Sequence, residues 1–237
     1  MAGFWTHVQV LTKVSKEVGL FVTDEALIGV NAADGQKNWK DDYPHLLRRM
    51  THRTHRWEHL VDHTYFEVES FVKEFTDELR LRDSFVISVL IHNLTDLLWD
   101  GGFMPYYERS RKNLNSEWIT TFNSLTNGIV EGAKNEVIPK YRYPAYAYIE
   151  ERLREKDPYL VDRMMQVDFD YLVLKNEKVL KYFPPNVGKY VKIDLDNSMK
   201  WKGREEIPYV EFEEYMEYMV NAITTMLTDI FNEVDKL

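Results

Sequence analysis

The chain has 237 residues, 44% of them apolar and 29% charged, enough to bury one substantial core and unlike the composition of a disordered protein. A formal net charge of -9 and a pI near 5.3 argue against general nucleic-acid binding, which needs basic counter-charge, but leave room for a small anionic substrate in a local basic pocket. With no cysteine, disulfides and thiolate chemistry are excluded, and any metal must be held by His, Asp, Glu or amide oxygens.

No apolar run approaches the ~18 residues of a membrane span, and the first residues lack the basic-then-apolar layout of a signal peptide. The expectation is a cytoplasmic protein without a membrane partner. No repeat, low-complexity tract or Pro/Gly-rich linker divides the chain, so residues 1–237 read as a single domain.

Phe4 to Val22 carries Val8, Leu11, Val14, Val18 and Phe21 at helical spacing. Residues 31–42 are polar and read as a loop, after which Asp42-Tyr43-Pro44 offers a helix start. Helical periodicity continues through Leu46, Leu47 and Met50, and again from Leu60 and Val61 through Val68, Phe71, Val72 and Phe75. Arg82-Asp83-Ser84 opens a further helix that stops at Asp100-Gly101-Gly102.

Trp118, Phe122, Leu125 and Ile129 form one helical stripe within residues 115–133, and residues 141–156 form a shorter helix. Asp157-Pro158 caps a helix running through Leu160, Met164, Val167, Tyr171 and Leu174. Residues 189–203 alternate (Tyr190-Val191-Lys192-Ile193, then Met199-Lys200-Trp201) and predict a β-hairpin turning at Asp196-Asn197-Ser198. A last helix over about 209–234 carries Met216, Met219, Val220, Ile223, Met226, Leu227, Ile230 and Phe231. The fold class is therefore all-α with one small β excursion, and the long apolar final helix leaves a homodimer open.

Five of the seven histidines lie between His45 and His63. On one continuous helix His45, His52, His55, His59 and His63 would share a face opposite Met50, Trp57, Val61, Val68 and Phe75, which is the ordinary pattern of a solvated face. His63 stands apart if the helix breaks between Thr51 and Glu58. The helix from Asp83 is different. Phe85, Val86, Ile87, Val89, Leu90, Ile91, Leu94, Leu97 and Leu98 surround it, predicting a central, buried element with a narrow polar strip of Ser88, His92, Thr95 and Asp96. A buried carboxylate must be paired, hydrogen-bonded or metal-bound. His92 and Asp96, one turn apart, either pair with each other structurally or serve a divalent cation.

Asp62-His63-Thr64 at a helix start, His92-Asn93-Leu94-Thr95-Asp96 on the buried helix, and Asp168 within Gln166-Val167-Asp168-Phe169-Asp170-Tyr171-Leu172 together resemble the HD-domain metal-dependent phosphohydrolases. Within them they are most similar to the bacterial 5′-deoxynucleotidases. Leu46-Leu47-Arg48, the arginines Arg53 and Arg56, and Phe103-Met104-Pro105 fit the same pattern, which spans about residues 40–175.

The resemblance implies an HD-type helical bundle with His63, His92, Asn93 and Asp168 around one Mn²⁺, Co²⁺ or Mg²⁺ ion. It implies Asp96 as the residue that orients the attacking water or handles protons, and Asp100 as a further catalytic carboxylate. Arg48, Arg53 and Arg56 would neutralise the phosphate of a (deoxy)nucleoside 5′-monophosphate. The family carries Asp where this chain has Asn93, which offers a carbonyl oxygen without charge and so a weaker ligand. A nucleoside triphosphate hydrolase of the same superfamily and a catalytically silent nucleotide- or protein-binding helical module are the alternatives. The second is favoured by Asn93 and by the tyrosine-rich segment Tyr141, Tyr143, Tyr146, Tyr148 and Tyr159.

Overall fold

The computed structural model describes residues 3–34, 71–101, 149–171, 174–202 and 209–237. The expected helices of residues 42–68 and 115–133, the tyrosines before Ile149, and His63, Arg48, Arg53 and Arg56 lie outside the described residues. Those described form helices and turns, with no strand among them.

Helix α1 (Phe4–Glu17) buries Val8, Leu11 and Val14, one turn apart, as the spacing predicts. It ends earlier than expected. Gly19 takes φ 71°, Leu20 N donates back to Ser15 O at 2.8 Å, and the chain leaves the helix with Phe21 90% exposed. Helix α2 (Asp24–Ala32) was not anticipated, although its start is readable. Thr23 caps it, Oγ1 accepting from Ala26 N at 3.2 Å, and Asp24 and Glu25 favour the positive end of the helix dipole.

Helical residues 71–74 lead through a turn at Phe75 into α3 (Thr76–Arg80), which is followed by α4 (Ser84–Gly101). Asp83 caps α4, its Oδ1 accepting from Val86 N at 3.0 Å. Arg82 adopts φ 58° at the join, in the left-handed region usually left to glycine. Its guanidinium is held there by both carboxylate oxygens of Asp235 at 2.8 and 3.1 Å and lies 4.0 Å from the Phe231 ring centre.

Residues 149–156 are helical (α5), burying Ile149 and Leu153. Asp157 caps α6 (Pro158–Met165) as predicted, accepting from Leu160 N at 2.9 Å. That helix stops at Gln166 rather than running on to Leu174. Asp168 Oδ1 accepts from the backbone N–H of Asp170 and Tyr171 at 3.1 and 3.0 Å, closing a turn that leaves Tyr171 85% exposed.

After α7 (Glu177–Leu180) comes α8 (Val187–Ser198), where the sequence predicted a hairpin over 189–203. This is a correction. Val187, Val191, Leu195 and Ser198 are buried, three or four residues apart, whereas Ile193, which a strand would place beside Val191 and Leu195, is 46% exposed. Four residues of alternation fit either period, and packing selects the helix. Arg154 of α5 then holds the end of α8 by donating to Ser198 O and Trp201 O, each at 2.6 Å.

Helix α9 (Tyr209–Val234) matches the predicted final helix and buries Met216, Met219, Val220, Ile223, Leu227, Phe231 and Val234. Its apolar stripe is spent within the chain, against α1, α3 and α4. Among the described helices the most extensive pairing is α2 with α4. Gly29 permits it, since a Cβ there would collide with Ser88 Oγ and the Phe85 carbonyl. No described helix is long and apolar enough to cross a membrane.

Candidate metal centre

The polar strip of α4 divides into two kinds of residue. Ser88 Oγ donates to Phe85 O at 2.8 Å and Thr95 Oγ1 to Ile91 O at 2.7 Å, so both hydroxyls are satisfied by their own helix. His92 and Asp96 reach outward instead. The close approach of α2 places Val30 O 2.7 Å from His92 Nδ1. A carbonyl can only accept, so Nδ1 carries a hydrogen, and Nε2 on the other side of the ring is the nitrogen that faces Asp96. A ring oriented through its second nitrogen in this way is the usual arrangement of a metal-binding histidine.

The partner that completes the group is His7, on the buried stripe of α1. Its ring stacks on that of His92 with centroids 3.9 Å apart and planes 19° from parallel. His7 Nε2 is 3.4 Å from Asp96 Oδ1, and His92 Nε2 is 3.6 Å from Asp96 Oδ2. Asp34, just beyond α2, brings its Oδ2 to 3.9 Å from His7 Nε2. His7 and His92 are fully buried and Asp96 is 5% exposed.

Burial shapes the electrostatics, and the charges modify it. Burial alone would lower the pKa of His7, but Asp96, Asp34 and Glu150 outweigh it and the value is raised. Burial would likewise raise Asp96, yet His7 and His92 hold that carboxyl well below its ordinary range. Glu150 is wholly buried and its pKa is raised by desolvation, only partly offset by the Trp5 and Thr6 groups that donate to it. Two imidazoles are thus buried beside carboxylates, a setting that attracts a cation.

The donor set fits a divalent ion. One atom each from His7, His92 and Asp96 lie within 4.8 Å of one another. The two imidazoles face different oxygens of the one carboxylate, His7 Nε2 at 3.4 Å from Oδ1 and His92 Nε2 at 3.6 Å from Oδ2, so Asp96 is the group both share. The amide of Asn31, next to Val30 on α2, is fully buried with neither atom hydrogen-bonded, and neither ring nitrogen of His7 has a hydrogen-bond partner of good geometry. Unsatisfied buried polar groups are costly and concentrate where an ion or a water belongs.

Of the residues singled out in the sequence, the structure brings together His92 and Asp96. Asn93 is half-buried on α4 and Asp100 falls in its last turn. Asp168 is not in the group: it is exposed, and its carboxylate is used in its own turn. His7 takes part without having been anticipated. Its signal was present, because it lies one and two turns before Leu11 and Val14 on an apolar stripe, where a histidine is conspicuous.

The described residues define a mostly helical fold with a buried His–His–Asp group able to hold a metal ion. No protein-family model, curated protein or solved structure matches the chain.

Proposed function

We propose that the chain is a divalent-metal phosphohydrolase acting on phosphate monoesters, with (deoxy)nucleoside 5′-monophosphates as the substrate class. In this reading His7, His92 and Asp96 hold the ion. The observation that carries it is the convergence of two imidazoles and one carboxylate, from α1 and α4, within 4.8 Å of one another. Three ligands from the described residues would leave positions for water and a phosphate oxygen, as catalytic sites require and closed structural sites do not.

A bound ion would lower the pKa of its water and polarise the phosphate. The chain's own groups would do the rest. Val30 O fixes the His92 ring, Asp96 balances both imidazoles, and Asp34 is the neighbouring carboxylate able to accept the proton that the water releases. Arg48, Arg53 and Arg56 are assigned to the phosphate dianion, for which a forked guanidinium is suited. An HD-type quartet drawing on His63 and Asp168 is not needed by this arrangement.

The test is phosphate release from a nucleotide panel with Mn²⁺, Co²⁺ or Mg²⁺, alongside metal content after dialysis. His7→Ala and His92→Ala should each abolish metal retention and turnover, whereas Asp168→Ala should retain the metal. Orthophosphate from monophosphates supports the nucleotidase, and tripolyphosphate from triphosphates the alternative hydrolase of the same superfamily. A second reading, a structural metal centre in a silent binding protein, is favoured by the near-complete burial of all three ligands. Retention of metal with no turnover on any phosphate ester would select it.

A further inference from the structure

Helix α1 begins without a cap of its own. Gly3 occupies the N-cap position in extended backbone and has no side chain to offer the N–H groups of the first turn. Those groups are buried, and left alone each would be a costly orphan. Glu150, on α5 and about 145 positions away in sequence, supplies what is missing. Its Oε2 accepts from Trp5 N at 2.6 Å, and its Oε1 accepts from Thr6 N at 3.1 Å and Thr6 Oγ1 at 2.8 Å. The absence of a side chain at Gly3 is what admits the carboxylate, since a Cβ there would collide with Glu150 Cδ and Oε1. The cap is therefore split between two segments, the glycine making the space and the distant glutamate filling it.

His7 is the next residue after this clamp, and His7 N closes the first turn onto Gly3 O at 3.1 Å. We propose that Glu150 is the positioning residue of the His7–His92–Asp96 site, fixing the depth and rotation of α1 where His7 must meet His92. The inference rests on the metal-centre reading. Glu150 is not itself among the atoms grouped for an ion, and its side chain is committed to α1. The apolar contacts of α1 are non-directional, and the clamp adds a directional contact at the end of the helix where His7 lies. A rotation of one residue, about 100°, would carry His7 off Asp96 altogether.

The experiment compares the full-length chain with Glu150→Ala, Glu150→Gln, Thr6→Val and the remote Arg82→Ala. Co²⁺ affinity is followed by the visible absorption of the bound ion, and thermal midpoint by circular dichroism. The ring-current shift of His7 on His92 is read by NMR of labelled histidine without metal. Glu150→Ala should weaken Co²⁺ binding roughly 10- to 100-fold, the range for loss of an outer partner of a metal ligand, and should move the His7 resonances. Thr6→Val and Glu150→Gln, which keep part of the clamp, should weaken it less and in the same direction. Arg82→Ala should lower the thermal midpoint yet leave Co²⁺ affinity within about twofold, because it acts away from any ligand.

If Glu150→Ala lowers the midpoint while His7 resonances and Co²⁺ affinity stay at wild-type values, the positioning role is wrong and the clamp merely stabilises. If Glu150→Ala does not fold, the same two readouts on Thr6→Val decide. Wild-type protein that binds no Co²⁺ overturns the metal centre instead, and the metal-free resonances still judge whether Glu150 positions His7.

Discussion

Single side chains at this protein's buried positions are settled by what they touch rather than by their type. Ser88 and Thr95 turn back onto α4, while His92 and Asp96, on the same strip, engage α2 and α1. Glu78 makes the same point away from the site. Largely buried, it accepts from Asn176 Nδ2 at 3.2 Å and Lys178 Nζ at 3.1 Å. Burial alone would raise its pKa, but its own backbone N–H, Asn176 and Lys178 together lower it. A carboxylate with a depressed folded pKa stabilises the fold above its unfolded value near 4.5, and that contribution fades as pH falls through the folded value. Urea titrations between pH 7 and 3 should therefore show an acid-side loss of stability that is shallower in Glu78→Gln. An unchanged slope in that variant would remove Glu78 from the account.

At the level of elements, α8 is the clearest contest between two readings of one stretch. In a hairpin, Val191, Ile193 and Leu195 would share a face; in the helix, Leu195 is fully buried and Ile193 is 46% exposed. The two positions should respond differently. Leu195→Ala should cost about 2–5 kcal/mol, the range for emptying a core leucine site. Ile193→Asp should cost under about 1 kcal/mol, as surface changes do. Equal, large losses measured by chemical denaturation would favour the strand. The same logic explains why α2 escaped notice: nine residues with a broad apolar face look like an ordinary linker until α4 covers them. Helix caps were more readable. Asp83 and Asp157 each accept from the N–H three residues on, a local contact that needs no partner element.

For the molecule as a whole, a divalent ion binding only to the folded chain should raise its stability by mass action. At a free concentration about 100 times the dissociation constant the gain is about 2.7 kcal/mol. Adding Co²⁺ or Mn²⁺ should raise the thermal midpoint, chelator should reverse the rise, and His92→Ala should abolish it. A midpoint indifferent to every divalent ion would argue that the buried charges at this site only balance each other. Helical class, the central buried helix, the Asp83 and Asp157 starts and the final helix were legible from periodicity and capping, which act between residues a turn apart. So were His92 and Asp96, because a histidine and a carboxylate on an otherwise apolar helix demand an explanation. His7, Asp34 and Glu150 were not, because the contacts that bring them in (His7 with Asp96, Asp34 with His7, Glu150 with Trp5) join segments far apart in sequence, 145 residues in the last case. Local rules carry no information about which distant segment arrives, and packing of α1 and α2 against α4 supplies it.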